Sequence, residues 1–310
     1  MDGRRTDKDQ NIKEAKSESP LVSLIIPSFN QGNFIEESIE SILLQDYRPI
    51  AIIIVDACST DATSTILHKY DNVPEVKWIS EPDKGQADGV NKGFSKAKGE
   101  IVAWLNSDDV YYSYDALSAV VKFFSKNSHI DIVYGDVAVI SSDSTLLRLF
   151  LLPPYDKERI FRGNFICQPA VFMRKHVTEH EKLNISQVGL DYEYWLRLII
   201  KGFRFYHLNK ILACDRHYPT RISVTQKALI ETQISVVKMK LGIFRPETQT
   251  RLLHASDRFF QAVCRIKGFL LLLLPLFWAK QQAKFPLKFD AYPKLLWRQL
   301  TKAIGSDFKS

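Results

Sequence analysis

A run with no polar face, Ile50-Ala-Ile-Ile-Ile-Val55, constrains this chain more than any other stretch. Successive side chains of a strand point to opposite faces, so a strand apolar at every position must be covered on both. That is the condition of a parallel sheet wrapped by helices. Two further runs, Val22 to Ile26 and Ile101 to Leu105, read as buried strands as well, and Val76 to Ser80 is another short strand. Between them, apolar residues recur at helical spacing. Phe34, Ile35, Ser38, Ile39, Ile42 and Leu43 make the inward face of a helix that opens at Gln31 or Asn33 and runs through Gln45. A second helix follows Ser59 or Thr60, natural N-caps, and extends through Tyr70. A third covers Gln86 to Lys98, and a fourth, Tyr114 to Ser125, leads to a strand at Ile130 to Tyr134. Such alternation with short connections predicts an α/β fold. It is a right-handed, mostly parallel, doubly wound sheet with helices on both faces.

Beyond that point the order loosens between Val137 and Gly163. Phe165 to Met173 reads as a strand, placed at an edge or bulged because Pro169 lies within it. Gly189 to Ile200 is an amphipathic helix stopped by Gly202, and Phe203 to His207 and Lys210 to Cys214 are closing strands. From Ala228 the pattern is helical again, to about Leu241. The expected organisation is a disordered leader over 1–20, a main domain over 21–227 and a helical, basic C-terminal region over 228–310. The leader is charged and polar and has no apolar core of a secretory signal.

Charge separates the last region from the rest. The net charge is +7, and from Arg251 onward eleven Lys and Arg stand against three Asp. The main domain is therefore close to neutral, which argues against nucleic acid as its partner and directs the tail towards an anionic surface. The run Gly268-Phe-Leu-Leu-Leu-Leu-Leu-Pro-Leu-Phe-Trp-Ala279 falls short of the roughly 20 residues that span a membrane. It fits a segment lying in an anionic membrane surface, or a hairpin helix packed on the main domain. Cys58, Cys167, Cys214 and Cys264 are far apart and form no C-x-x-C pair, so the expected setting is a reducing, cytoplasmic one, peripheral to the membrane.

The chemistry concentrates where the fourth run ends, in Leu105-Asn-Ser-Asp-Asp109. Adjacent carboxylates repel, so Asp108 and Asp109 at a strand exit call for something positive between them. Mg²⁺ takes one or two carboxylates together with substrate phosphates, and open α/β sheets bind ligands beyond the carboxyl ends of their strands. The plainer reading makes Asp108 a helix N-cap and Asp109 a solvated first-turn residue. These residues alone leave both open.

The motifs taken together resemble the family 2 glycosyltransferases of the GT-A fold. The likeness is carried by Val22-Ser-Leu-Ile-Ile-Pro-Ser-Phe-Asn30, Val55-Asp56 with Ser59-Thr-Asp61, Glu81-Pro-Asp-Lys-Gly-Gln-Ala-Asp88 with Asn91-Lys-Gly93, Leu105-Asn-Ser-Asp-Asp109, Gln168-Pro169 and Asp191-Tyr-Glu-Tyr-Trp-Leu-Arg197. It covers roughly Leu21 to Val224. The resemblance implies a GT-A-type, Rossmann-like sheet and inverting transfer of a sugar, with UDP the commonest nucleotide, to a hydroxyl of a glycan or lipid-linked acceptor. It implies that Pro27, Ser28 and Asp56 hold the nucleoside, and that Asp109 contacts Mg²⁺ or Mn²⁺ while Asp108 faces the ribose or donor sugar. It also implies that Asp191 is the general base and that Arg216-His217, with Arg221 and Ser223, closes over the diphosphate. Against these stand plainer roles: turn formation for Pro27 and Ser28, capping for Asp56 and Asp191, and an ordinary surface site for His217. Lys84 and Asp83 meet the nucleotide or are solvated loop residues; Gln168 lines the sugar pocket or bonds backbone; Asp61 is a first-turn dipole partner. After Asp56 the family often has Asp or Gly, and here Ala57-Cys58 follows. Two other functions share the pattern: a nucleotidyltransferase, although Pro27 to Gly32 holds no basic residue, and a catalytically silent sugar-nucleotide-binding subunit.

Overall fold

Strand β1 (Val22–Ser28) is buried at all seven positions, and it sits at the middle of a four-stranded parallel block. On one side it pairs with β2 (Ile50–Asp56), which pairs with β3 (Val76–Ser80); on the other it pairs with β4 (Ile101–Trp104). The computed structural model describes residues 19–243 together with 262, 263, 266–268 and 270.

Alternation along these strands assigns each residue to a face. Leu24, Ile26, Ile52, Ile54, Ile101 and Ala103 point into one apolar layer, covered by α1 (Ile35–Leu43), α2 (Thr63–His68) and α4 (Ala116–Lys126). Ile25, Ile53, Val55, Val102 and Trp104 point into the other, covered by α3 (Gln86–Lys96). The approach of α3 is close. A Cβ on Gly93 would come within 2.3 Å of Ile25 Cγ2, so only glycine admits the helix at this distance. Both faces are covered, as the all-apolar runs require.

The sheet continues as β4-β8-β6-β9-β5, where β5 is Val110–Tyr111, β6 Ile132–Ser141, β8 Val171–Arg174 and β9 Phe205–His217. β8 runs antiparallel to both neighbours, β6 and β9 are parallel, and β7 (Leu146–Phe150) hairpins onto β6. The sheet is therefore mixed, with its parallel majority at the N-terminal end. The helices α5 (Lys157–Arg162), α6 (Lys175–His180), α7 (Leu190–Ile200), α8 (Ile222–Thr225) and α9 (Lys227–Lys240) complete the described elements. Trp195 of α7 stacks on Trp104 with ring centroids 5.8 Å apart, locking α7 to the end of β4.

Four local expectations need correction. The stretch 137–163 is ordered: β6 is ten residues long and turns at Ser141–Thr145 into β7. Pro169 lies in a 3-10 turn, Gln168–Ala170, and only Val171–Arg174 is strand. The two closing strands are one, β9, whose register with β6 shifts around Asp136. The second helix also starts later than its proposed caps, at Thr63, because Ser59 and Thr60 are engaged elsewhere.

Residues 1–18 and most of the run from Gly268 to Ala279 lie outside the described residues; Gly268 itself is buried beside Leu149. Among the described residues no helix is long and apolar enough to cross a membrane.

Candidate functional site

Because β2 and β4 lie on opposite sides of β1, the chain reverses its direction of winding there, and the carboxyl ends of the strands open a crevice. A cavity of about 1150 Å³ occupies it. Pro27 and Ser28 at the end of β1, Ala57 and Cys58 after β2, and Asp108 and Asp109 after β4 all line it. Asp191 of α7 lines the same cavity, with Gln168.

The loops after β1 and β2 are clasped to each other. Asn30 and Cys58 adopt left-handed backbone, with φ of 53° and 57°, which side-chain-bearing residues avoid unless held. The Asn30 amide donates to Ser59 Oγ at 2.7 Å, and the Thr60 amide donates to Asn30 Oδ1 at 2.8 Å. Asp61 adds to the clasp, accepting from the amides of Gly32 and Thr63 at 2.8 and 3.0 Å. It is a loop fastener and more than a dipole partner. Asp56 is fully buried and does not line the cavity. Its carboxylate accepts from the Ser59 amide at 3.0 Å, Ser59 Oγ at 2.5 Å and Ser80 Oγ at 2.6 Å, so it anchors the loop that carries Ala57 and Cys58.

The acid pair is not a helix cap. The next helix, α4, begins at Ala116 behind Asp115, and Val110–Tyr111 is strand. Asp109 is 3% exposed, accepts from the Arg216 amide at 2.9 Å and sits 3.3 Å from Asn106 Nδ2. Burial, then the charges of Asp108 and Asp215, push its pKa well above the carboxylate range. Burial likewise raises that of Asp108, although Tyr218 donates to its Oδ2 at 2.8 Å. Asp215 goes the other way: burial is outweighed by the hydrogen bond from His217 and by Arg221, 3.0 Å from Oδ1. Unneutralised charge concentrated at Asp108 and Asp109 fits a divalent cation. Among the described residues no group of three or more His, Cys, Asp or Glu is arranged to hold a metal alone. The fit is thus to an ion completed by a ligand's oxygens.

On the other wall, Gly189 takes the N-cap position of α7 without a side-chain cap, and Asp191 stands inside the first turn. Burial raises its pKa, while the Tyr192 amide and Asn164, whose Nδ2 donates to Oδ2 at 3.1 Å, favour its ionised form. Glu193 faces away, bonded to Arg197 at 3.0 Å. Gln168 uses Nε2 on the Trp104 carbonyl at 2.6 Å.

Other expected site residues lie elsewhere. Arg216 is fully buried and does not line the cavity. Its guanidinium donates to the carbonyls of Asp108, Ser141 and Ser142, to Ser144 Oγ at 2.8 Å and to Glu37 at 2.5 Å, leaving it no reach to a diphosphate. It clamps the acid-pair loop to the β6–β7 turn from behind. His217 pairs with Asp215 at 3.0 Å, and Lys84 is exposed with its amide bonded to Asp88; neither lines the cavity. Asp83, Arg221 and Ser223 do. Asp215, Tyr218 and Asn164 escaped the sequence reading. The first two adjoin Arg216-His217, which was the available signal; Asn164 falls between the stretch 137–163, where the order loosens, and the strand expected from Phe165, and had none. Replacing Arg216 with Met takes the charged donor away from Glu37 and from the carbonyls of Asp108, Ser141 and Ser142, so about 3 kcal/mol of stability is expected to go. A urea midpoint equal to wild type would contradict the clamp.

A sequence model described as Glycosyl transferase family 2 matches residues 23–178. A Bacillus subtilis (strain 168) protein named as a teichuronic acid biosynthesis glycosyltransferase, TuaG, is 33% identical over 202 residues, spanning 63% of this chain and 78% of that one. A Pasteurella multocida (strain Pm70) chondroitin synthase is 32% identical over 196 residues, 62% of this chain but only 20% of its own length. Among solved structures, S. aureus TarS 1-349 in complex with UDP-GlcNAc superposes with a TM-score of 0.56 at 19% identity, covering 70% of this chain and 66% of that one. The mannosyltransferase PcManGT from Pyrobaculum calidifontis, in complex with GDP-Man and Mn2+, gives 0.54 at 18% identity over 86% and 85%. At these identities the structural likeness is one of fold, and the fold is of the GT-A kind.

Proposed function

Since this chain belongs to glycosyl transferase family 2 and is a glycosyltransferase, we propose that it moves one sugar from a nucleoside diphosphate, with UDP the first candidate, to a hydroxyl of a saccharide or lipid-linked acceptor, inverting the anomeric carbon. Membership sets aside the nucleotidyltransferase reading of the same acids. The observation that carries the proposal is the single cavity shared by Asp108 and Asp109 on one wall and Asp191 on the other.

The roles divide by position. Pro27, Ser28 and the clasped loops after β1 and β2 form the wall at which a nucleoside would seat, and Asp56 holds that wall in shape from beneath. Asp109, with Asp108 beside it, would hold Mg²⁺ or Mn²⁺, whose charge offsets the negative charge left on the departing diphosphate. Asp191 takes the proton of the acceptor hydroxyl as that oxygen bonds to the anomeric carbon. The bond from that carbon to the diphosphate breaks on the opposite side, and its electron pair leaves with the nucleotide. The raised pKa of Asp191 suits this duty, since a more basic carboxylate holds the proton better, and Asn164 fixes the orientation of its oxygens. Tyr218 does the same for Asp108, and the cation–π stack of Arg216 over Phe34, 5.0 Å from the ring centroid, braces the loop behind the pair. The C-terminal basic region is proposed to meet an anionic membrane surface, where a lipid-linked acceptor would be found.

A thermal-shift panel of UDP- and GDP-sugars with and without Mn²⁺ tests the reading. A ligand at 100 times its Kd adds about 2.7 kcal/mol to the native state. A shift that needs both nucleotide and cation is expected; no shift with any nucleotide would contradict it.

A further inference from the structure

Asn164, which orients the Asp191 carboxylate, is itself exposed. Its Oδ1 accepts from the Ile166 amide at 3.1 Å, a bond within its own turn. A Cβ on Gly163 would meet no atom of the described residues within 4 Å, so packing does not fix the chain just ahead of Asn164. The hold on it comes from α9. Lys238 Nζ donates at 2.9 Å to the carbonyl of Arg162, the last residue of α5, whose carbonyl has no partner inside that helix. The same ammonium lies 5.2 Å from the ring centroid of Tyr192, the chain neighbour of Asp191, and the Tyr192 hydroxyl donates to the Ile160 carbonyl at 2.5 Å. Three helices, α5, α7 and α9, thus meet around one lysine. α9 also grips the entry to α7. Gln233 Oε1 accepts from the Val188 amide at 2.8 Å, and Gln233 Nε2 donates to the Ser186 carbonyl at 3.3 Å. A Cβ on Gly189 would come within 2.8 Å of Ile230 Cγ2, so α9 lies hard against the first turn of α7. Val237 shares an apolar layer with Ile160, Leu190 and Tyr192, and there burial lowers the pKa of Lys238. Packing alone would favour an apolar side chain at that position.

We propose that Lys238 is a positioning residue for the general base: it holds the end of α5 that carries Asn164, and through Asn164 it orients Asp191. The catalytic unit then extends through α9, past the residues 23–178 that carry the family match. This rests on the reading of Asp191 as the base and adds a residue that acts through it. Without the lysine, the Arg162 carbonyl turns to water and Asn164 leaves Asp191. The carboxylate keeps its burial but loses a donor that favours its ionised form, so its pKa rises further. A general loosening of the fold would act in the opposite direction, because water reaching Asp191 brings its pKa down towards that of an ordinary Asp. The sign of the shift therefore separates positioning from mere support.

Carboxyl NMR of the full chain with carbon-labelled aspartate, in chelator and without nucleotide, reads this titration, and Asp191→Asn identifies the signal. Asp215, the charged group whose field reaches Asp191, is unchanged in every variant. Lys238→Met, which keeps the packing of the stem, is expected to raise the Asp191 midpoint by at least about half a pH unit, and Asn164→Ala to raise it likewise. In the Asn164→Ala background the Lys238→Met shift should vanish, since two residues acting in series do not add. Lys238→Arg keeps the donor and should titrate close to wild type. A midpoint that falls or stays put in Lys238→Met overturns the proposal. So does a shift of full size in the Asn164→Ala background, which would be the lost charge acting through space. The titration needs no substrate, so its failure is distinct from that of the base reading, which falls if Asp191→Asn turns over as wild type does.

Discussion

Asp191→Asn is expected to lower transfer by about 10²- to 10⁴-fold, the range a positioned general base supplies, and to leave nucleotide-sugar binding within about twofold. The amide keeps the shape and one acceptor oxygen but cannot take a proton from the acceptor hydroxyl. Folding does not confound the result. The pKa of Asp191 is raised in the native state, chiefly by burial, so its ionised form is the one the fold disfavours. Its contribution to stability is complete below the unfolded value near 3.8 and is lost as pH rises through the raised native value, so the uncharged amide costs nothing at neutral pH. The same shift sets the pH profile. A base must be ionised, so the rate should fall as pH drops through the raised value, with the acid limb displaced upward from that of an ordinary Asp. Asn164→Ala removes a donor that favours the ionised form and should move that limb higher still. A variant with wild-type turnover, or one that has lost donor binding along with activity, would show that Asp191 is structural.

Asp109→Asn is expected to lower activity by about 10²- to 10³-fold, on the scale of removing one charge-stabilising group. It also raises the stability of the metal-free protein at pH 7. The two effects have one cause. Burial, with Asp108 and Asp215 nearby, holds the pKa of Asp109 well above its ordinary value. Its ionised form is therefore a liability in the folded chain, absent below the unfolded value and growing as pH rises through the native one. Asn removes that liability while its oxygen still accepts from the Arg216 amide. Melting curves in chelator and in Mn²⁺ read both effects: wild type should gain from the cation at pH 7 and gain little in acid, and the variant should melt higher than wild type without metal but be indifferent to it. Equal gains from Mn²⁺ in both proteins would remove Asp109 from the cation site.

The parallel block was legible in the sequence because its strands are apolar at successive positions and end in turn residues, a pattern few other folds accept. The β6–β7 hairpin was not. Its turn, Ser141-Ser-Asp-Ser-Thr145, marks a break, and Leu146–Phe150 is only partly buried with Arg148 in its middle, so the alternation was too weak to separate strand from loop. β5 is two residues long and carries no periodicity. In the site, the acid pair and Asp191 announced themselves as carboxylates at element ends. The basic segment misled because β9 extends through it. In a strand, neighbours face opposite ways, so Asp215 looks into the cavity and Arg216 behind it, a direction set by the pairing with β6 rather than by residue type. Asp56 was found as important, but its partners Ser59 and Ser80 come from separate segments, and only the folded chain shows that they absorb it.

Diffraction at the manganese edge from crystals grown with Mn²⁺ and a nucleoside diphosphate tests the central claim most directly. The account predicts one anomalous peak in contact with the Asp109 carboxylate, with diphosphate oxygens on the ion and open space between it and Asp191. A peak at any other carboxylates, or a diphosphate seated outside the cavity that Asp109 and Asp191 share, would contradict it.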